Sequence, residues 1–295
     1  MRTPHIGSRP RPGTRPAPAL RGPIGTLSPA MSLRQAAAHR NLLYLLSLKE
    51  LRTRYKKSVL GWAWSLLNPL TQMAIFSVIF LYVFKASPPI GDPSGIKNFP
   101  LYFLSGALAF NFFSISVGVA IGSVQGGAGL IKKVQFPHEH LVFSVIVAQF
   151  VTLLIELAVL CVALMIAGNM VLPWIPVLLV VLSLLALFTT GVALVLSAAN
   201  VFYHDVNYLW GILSQILFYA TPVIYHPSTI EVSALRWIAT YGPTGSFITA
   251  VHNVVYDLRV PGTGRLVQLV VMGFGMFAVG AWVFNKLSPR FAEEM

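Results

Sequence analysis

Six long apolar runs constrain this chain more than any other feature of its sequence. A membrane-spanning helix needs about 20 mostly apolar residues, and each run is close to that length or longer. Backbone groups in lipid must pair within their own segment, so the runs predict helices rather than open strands. We therefore predict an all-α polytopic membrane protein with six transmembrane helices. The predicted spans are residues 62–84, 100–124, 141–167, 174–200, 208–225 and 266–287.

The composition agrees with a membrane protein. Hydrophobic residues make up 56% and charged residues 10% of the 295 residues, with a mean hydropathy of +0.72, whereas a soluble domain carries about 25% charged residues. The single cysteine, Cys161, lies inside an apolar run, so no internal disulfide can form. The net charge of +12 is not gathered on one face of a folded domain, which argues against a nucleic-acid partner.

The distribution of basic residues predicts the orientation in the membrane. An even number of spans places both ends on one side, and membrane proteins keep an excess of Lys and Arg in the cytoplasm. With both ends in the cytoplasm, nine such residues near the span ends face inward and five face outward. We predict a multi-pass protein of the plasma membrane with both termini cytoplasmic. The nine are Lys49, Arg52, Arg54, Lys56, Lys57, Lys132, Lys133, Lys286 and Arg290; the five are Lys85, Lys97, Arg236, Arg259 and Arg265.

The residues before the first span divide into two parts. Residues 1–38 begin with a stretch rich in Pro, Arg and Gly that lacks the apolar core of a secretory signal, and we predict a disordered cytoplasmic tail. Residues 39–60 repeat apolar residues at helical spacing among basic ones, which predicts an amphipathic helix in the cytoplasmic interface. Residues 61–295 then form the transmembrane domain. The interface-helix residues placed near lipid phosphates are Lys49, Arg52, Arg54, Tyr55, Lys56 and Lys57.

Residues 227–264 are long for a connection, yet their apolar pieces are too short to cross a membrane. Gly242 and Pro243 separate these pieces. We predict two short helices that dip into the outer leaflet, because irregular backbone at that depth must be shielded by protein or line a cavity. An extracellular loop with two surface helices is the alternative.

Motifs for bond chemistry are missing from the sequence. It contains no G-x-x-x-x-G-K-[ST] phosphate loop, no H-E-x-x-H helix and no G-x-S-x-G elbow. His138 and His140 flank Glu139, but residues two apart on a helix do not share a face, and no further Cys or His lies near them. We predict no metal site, no cofactor and no enzymatic activity in this chain.

Glu156 lies close to the middle of the third run, with Gln149 and Thr152 on its helical face. A carboxylate in hydrocarbon costs about 2.5–3.5 kcal/mol, so this side chain is expected to face protein or water. Two roles stay open at this stage: a functional one, in pathway lining or proton coupling, and a structural one, in an interhelical hydrogen bond.

Four aromatic residues also lie deep in predicted spans: Phe112 and Phe113 in the second, and Phe218 and Tyr219 in the fifth. Aromatic rings can stack on the apolar faces of sugars, and they can equally pack within the protein. Together with Glu156, these four residues are the candidates for a substrate path.

Four segments carry a resemblance to a known family. In chain order they read "LKELRTRYKKSVLGWAWSLLNPL", "LIKKVQFPHEHL", "YHDVNYLWGILSQILFYATPVIY" and "RFAEEM". They are similar to segments of the membrane subunits of ABC-2 type polysaccharide exporters, the permeases for O-antigen, capsule, teichoic acid and galactan polymers. The resemblance extends from about residue 40 to residue 295. His204 stands where the family often has Arg, and Gly242 where it often has Asn, so the subfamily and its sugar stay open.

The resemblance implies how such a protein works. Residues 126–136 would form a short coupling helix on a separate ABC ATPase, which binds ATP and Mg²⁺. Gly242 and Pro243 would belong to an outer gate. Two copies of the chain would enclose the path of a lipid-linked polysaccharide, whose phosphates suit the basic interface helix. The expected contacts with the ATPase are Leu130, Ile131, Lys132, Lys133, Phe136 and Pro137.

Three alternatives remain at this stage. An ABC-2 exporter of drugs or lipids shares the fold, but would not need aromatic residues stacked along the path. A polyprenyl-phosphate glycosyltransferase would need clustered acidic residues to hold a metal ion, whereas Glu139 and Asp205 are isolated. A proton-coupled carrier would rest on Glu156 alone.

Overall fold

The computed structural model describes residues 33–55, 63–85, 88–131 and 136–294, which form helices joined by turns and loops, with no strand among them. Residues 1–39 and 40–295 are two separate units, and the contacts below belong to the second. The predicted tail lies almost wholly outside the described residues. The helices are α1 (Leu33–Tyr55), α2 (Ala63–Val78, continued by a π-helical turn at Ile79–Val83), α3 (Phe99–Gly126), α4 (Ala128–Ile131), α5 (Glu139–Ile166), α6 (Ile175–Phe202), α7 (Val206–Ala220), α8 (Ser233–Tyr241), α9 (Pro243–Val255), α10 (Thr263–Leu287) and α11 (Phe291–Glu294).

Five helical segments in the described ranges are long and apolar enough to cross a membrane, and they overlap five of the six predicted spans. The other predicted span, residues 208–225, consists of the 15-residue helix α7 followed by turns. Fifteen helical residues cover about 22 Å, less than the ~30 Å of a hydrocarbon core. The helix ends at Thr221, which is extended, because a residue before proline disfavours helical backbone. The five segments are Leu66–Val83, Phe99–Gly126, Glu139–Ile166, Leu172–Phe202 and Thr263–Arg290.

Local signals set the ends of the long helices. The Asn98 side chain accepts a hydrogen bond from the Leu101 N–H at 3.2 Å, which caps the first turn of α3. Gly168 ends α5 with a φ of +89°, a left-handed conformation that glycine adopts without steric cost. The next N–H, of Asn169, then bonds the Leu164 carbonyl at 2.9 Å and closes the last turn.

The core lies between α3, α5 and α6. In the most apolar stretches of α3 and α6, 61% of the residues are buried within the chain, compared with 17% in α10 and 6% in α2. α10 packs along α6 through glycines. A Cβ atom on Gly191 would overlap the Met276 carbonyl, and one on Gly280 would overlap the Gly191 backbone. Small residues at such crossings let two backbones approach closely, which is how membrane helices gain packing energy.

One end of the helical bundle is organised around Tyr256, and we call it the Tyr256 end. The Tyr256 hydroxyl donates to the Pro89 carbonyl at 2.8 Å and accepts from the Asn98 N–H at 3.0 Å. The Asn169 amide donates to the carbonyls of Val255 and Tyr256, at 3.0 and 3.2 Å. The connection before α3, the connection after α5 and the end of α9 therefore meet at one point.

The opposite end is organised around Phe291, and we call it the Phe291 end. Phe291 is fully buried, and its ring lies 5.3 Å from the Phe284 ring and 6.2 Å from the Phe202 ring, centre to centre. His138 lies 6.2 Å from Phe291 and 5.8 Å from Phe136. The connection between α4 and α5 is thereby in contact with the ends of α6 and α10.

The helices α8 and α9 occupy the region predicted to hold two short helices. Gly242 separates them, since it ends α8 and precedes the first residue of α9, Pro243. A Cβ atom on Gly242 would overlap the Ile238 carbonyl, so this break needs glycine. α9 is buried in the bundle, whereas Trp237 of α8 is 64% exposed.

The glycine crossing of α6 and α10 yields a first prediction. Replacing Gly191 or Gly280 by Val forces two backbones apart. We expect the free energy of unfolding to fall by about 1–3 kcal/mol, the usual cost of overpacking a core. Thermal unfolding of the detergent-solubilised chain measures it. Gly275→Val is the matched control, because a Cβ atom there meets no described atom within 4 Å; equal melting temperatures for all three variants would contradict the crossing.

Candidate intramembrane site

A cavity of about 90 Å³ lies between α2, α3 and α5, within the apolar spans. Glu156 and Thr152 of α5 line it beside Asn68 of α2 and Asn111 of α3. Polar groups at such a depth are costly to bury and face protein or water. The whole lining is Trp64, Asn68, Pro69, Asn111, Phe112, Ile115, Gln149, Thr152, Leu153 and Glu156.

A second cavity, of about 280 Å³, lies between α2, α3 and α7. Asn111 lines this cavity too, so the two cavities adjoin at one amide. We call them the Asn111 cavities. The second is lined by Gln72, Phe76, Phe110, Asn111, Ser114, Ser214, Gln215, Phe218 and Tyr219.

The aromatic walls of the second cavity are held by ring contacts. Phe218 lies 5.3 Å from Phe110 and 6.2 Å from Phe76, centre to centre. Tyr219 is 57% exposed and stands edge-on to Phe218 at 5.4 Å. The cavity therefore combines fixed aromatic faces with amide and hydroxyl groups. Such a lining binds ligands that carry both apolar faces and hydroxyls.

A third cavity, of about 220 Å³, connects this region with α1. Gln149 and Thr152 line it together with Glu50 and Leu51 of α1. The polar side chains of α5 are thus reached from two sides, from α1 and from α2. Polar groups therefore extend from Glu50 of α1 through Gln149 and Thr152 toward Glu156.

The structure separates the five residues proposed from sequence for a substrate path. Phe112 and Glu156 line the first Asn111 cavity, and Phe218 and Tyr219 line the second. Phe113 lines neither; it is 4% exposed and packs in the core against Phe188 and Trp210.

Five uncharged polar residues of α2, α3 and α7 that line these cavities are not among the residues proposed from sequence for a path. Each is a polar side chain inside a long apolar run, and without a charge it does not stand out as costly to place in a membrane. They are Asn68, Gln72, Asn111, Ser214 and Gln215.

The proposed coupling segment is described in part. α4 ends at Ile131, and Lys132 and Lys133 lie outside the described residues, as do the side chains of Leu130 and Ile131. Phe136 is half-buried and so is Pro137, at the Phe291 end.

The predicted interface helix corresponds to α1 (Leu33–Tyr55). Lys49 and Arg52 are exposed, Leu46 and Ser47 are buried, and Tyr44 is 65% exposed. Arg54 and Tyr55 are described in backbone only, and Lys56 and Lys57 fall outside the description.

No group of three or more His, Cys, Asp or Glu side chains that could hold a metal ion occurs in the described part of the chain. His138 precedes the first turn of α5 and Glu139 begins it. Burial lowers the pKa of His138, against the opposing effect of the neighbouring Glu139 carboxylate.

Comparison with known proteins identifies the class. The family model for ABC-2 type transporters matches residues 41–256, and the chain belongs to this family. The O-antigen export system permease protein RfbA of Myxococcus xanthus is 30% identical over 89% of this chain and 98% of its own length. A protein of the same name from Klebsiella pneumoniae is 29% identical over 86% and 94%. The polysialic acid transport protein KpsM of Escherichia coli is 33% identical over 30% of this chain and 31% of its own length.

The Asn111 cavities yield a second prediction. In a Cys161→Ser background, we expect Asn111→Cys to react with N-ethylmaleimide roughly tenfold or more faster than Ala109→Cys, because a thiol ionises only where water reaches it. Ala109 is the matched control, on the same helix and 0% exposed. Mass spectrometry of the chain in native membranes measures the labelled fraction over time. Equal labelling of both cysteines would mean that the cavities are not hydrated.

Proposed function

We propose that this chain is the channel-forming membrane subunit of an ATP-driven exporter that carries a polysaccharide out of the cytoplasm. The Asn111 cavities carry the proposal, because they combine aromatic faces with amides and hydroxyls inside membrane spans. Similarity to O-antigen export permeases over most of both chains gives the same substrate class. The cargo is a polymer on a lipid carrier, whose phosphates suit the basic face of α1.

Two copies of the chain enclose the path in this proposal. Only 6% of the residues in the apolar stretch of α2 are buried within one chain, and Trp210 is the one residue of α7 that is buried. Both helices line the second Asn111 cavity. A second copy packed beside them would turn an open, polar and aromatic groove into a channel wall.

A separate ABC ATPase, which binds ATP and Mg²⁺, supplies the energy. The sequence contains no phosphate-binding loop, so work must reach the spans through a rigid contact. The chain from α4 to α5 is suited to this, because His138 connects Phe136 to the buried Phe291. Movement of the coupling segment would be passed to the ends of α6 and α10.

The proposed topology has both termini in the cytoplasm. Lys85, Lys97 and Arg259 lie in connections at the Tyr256 end, whereas Lys286 and Arg290 lie at the Phe291 end. The Tyr256 end is then the outer one, in agreement with the charge bias. α7 and the turns after it complete a sixth crossing, and α8 and α9, broken at Gly242, form the outer gate.

An exporter of drugs or lipids is the second candidate. Its path would be mainly apolar, because such cargo offers few hydroxyls. The amides of Asn111, Gln72 and Gln215 favour the sugar instead. Glu156 fits the proposal as a hydrogen-bonding group of the path wall.

The third prediction tests the partner. With Cys161→Ser and the only cysteine at position 135, a photo-crosslinker attached in native membranes should capture a protein with an ATP-binding cassette. Changing Lys132 to Glu and Phe136 to Ala should abolish the capture, by removing the proposed charge and apolar contacts. A crosslinker at Lys97, an exposed residue at the Tyr256 end, is the control and should capture no such ATPase. Capture from Lys97 as well, or from neither position, would overturn the docking proposal.

The fourth prediction tests the path. Tyr219→Ala removes an exposed ring from the second Asn111 cavity, and we expect roughly threefold to tenfold less polymer at the cell surface, the worth of about one aromatic contact. Tyr208→Ala is the matched control, since Tyr208 is also exposed on α7 but lines neither Asn111 cavity. Labelled surface polysaccharide is measured at equal amounts of chain in the membrane. Equal losses in both variants would show that the substrate path does not run along this surface of α7.

A further inference from the structure

The Tyr256 end contains a cavity of about 180 Å³ that is separate from the Asn111 cavities. α3 and α9 form its floor, and the connections on either side of α8 and α9 form its walls. Its polar and aromatic lining includes Tyr102, His226, Thr249, Asn253, Asp257 and Arg259.

The charged groups of this cavity are fixed in position. The Arg259 guanidinium lies 3.1 Å from the Asp257 carboxylate and donates to the Asn253 side-chain oxygen at 3.0 Å. The other Asp257 oxygen accepts from the Asp92 N–H at 3.3 Å. Burial raises the pKa of Asp257, while the Arg259 guanidinium opposes that rise. Three planar polar side chains are therefore held in place before any ligand binds.

The floor of the cavity is rigid. The Tyr102 and His252 rings stack at 4.0 Å, and His252 Nε2 lies 3.1 Å from the Tyr102 carbonyl. A side chain at Gly106 would collide with the His252 ring, so glycine admits this contact. The Thr249 hydroxyl oxygen is fully buried, whereas the Arg259 and Asp257 side chains are 46% and 14% exposed and can meet a ligand.

We propose that this cavity binds one hexopyranose unit of the exported polymer on the outer side of the membrane. Sugar hydroxyls both donate and accept, so they match the Asp257 carboxylate, the Arg259 guanidinium and the Asn253 amide together. The carboxylate disfavours an anion such as a phosphate, and the guanidinium disfavours a cation. The volume of about 180 Å³ is below the ~300–1,000 Å³ of sites for drug-sized ligands, which limits the occupant to about one ring.

The substrate class in this proposal rests on the proposed function, but the test measures binding and does not require transport. The full-length chain in lipid nanodiscs is titrated with D-galactose, D-glucose and D-mannose, and saturation-transfer difference NMR reports binding. We expect at least one hexose to give a saturable signal. Arg259→Ala removes the guanidinium and should weaken the affinity about tenfold. Arg259→Lys, which keeps a cationic donor without the planar fork, should recover part of it.

Two controls show whether a weaker affinity comes from lost contacts rather than from unfolding or from the loss of a positive charge. Arg259→Ala should keep a melting temperature close to that of the parent chain, because an exposed ion pair contributes little to stability. Arg236→Ala, at an exposed arginine outside the cavity, should leave hexose binding unchanged. No saturable signal from any hexose, or the same affinity in Arg259→Ala as in the parent, overturns the site. Polysaccharide export is measured in parallel to test the proposed function. Intact export without hexose binding would contradict only the cavity proposal. Hexose binding without export would contradict only the proposed exporter function.

Discussion

The structure depends on how the chain ends α9 inside an apolar bundle. The last carbonyls of a helix have no partner within it, and lipid offers none. Asn169 supplies the missing donor by bonding the carbonyls of Val255 and Tyr256. The Tyr256 hydroxyl then binds the Pro89 carbonyl and the Asn98 N–H. Three connections that are distant in sequence thus become one structure, and the placement of α9 against α3 follows from it.

Burial divides the helices into a frame and a surface. α3, α5 and α6 share the core, and α10 joins them through backbone contact at Gly191 and Gly280. α2 and α7 add little buried area, yet the polar and aromatic cavities lie beside them. Since packing energy is concentrated in the frame, the surface helices can carry polar side chains at small cost to stability.

Five of the six spans predicted from hydropathy are long apolar helices in the structure, because length and apolarity alone define them. Hydropathy does not predict that α7 ends early, at Ala220, which is a local backbone effect of the following Thr221 and Pro222. The cost of a charge in lipid identifies Glu156 as a cavity residue, but the uncharged Asn111 gives little signal. Phe113 packs in the core because periodicity does not tell which face of a helix meets a cavity. The close contact at Gly191 is not predicted from the sequence, because its partner lies on a helix far along the chain.

The single buried residue of α7 has a consequence for how proteins of this kind diversify. Trp210 packs against Phe113 and donates its indole N–H to the Ser114 carbonyl at 3.0 Å, beside Gly118. The remaining positions of α7 are exposed or half-exposed, so most substitutions there leave the folding free energy nearly unchanged. In the proposed exporter, mutations on α7 can then alter the surface that would face the cargo without first being compensated elsewhere. Selection for a new polymer and selection for a stable fold would then act on different residues of the same subunit.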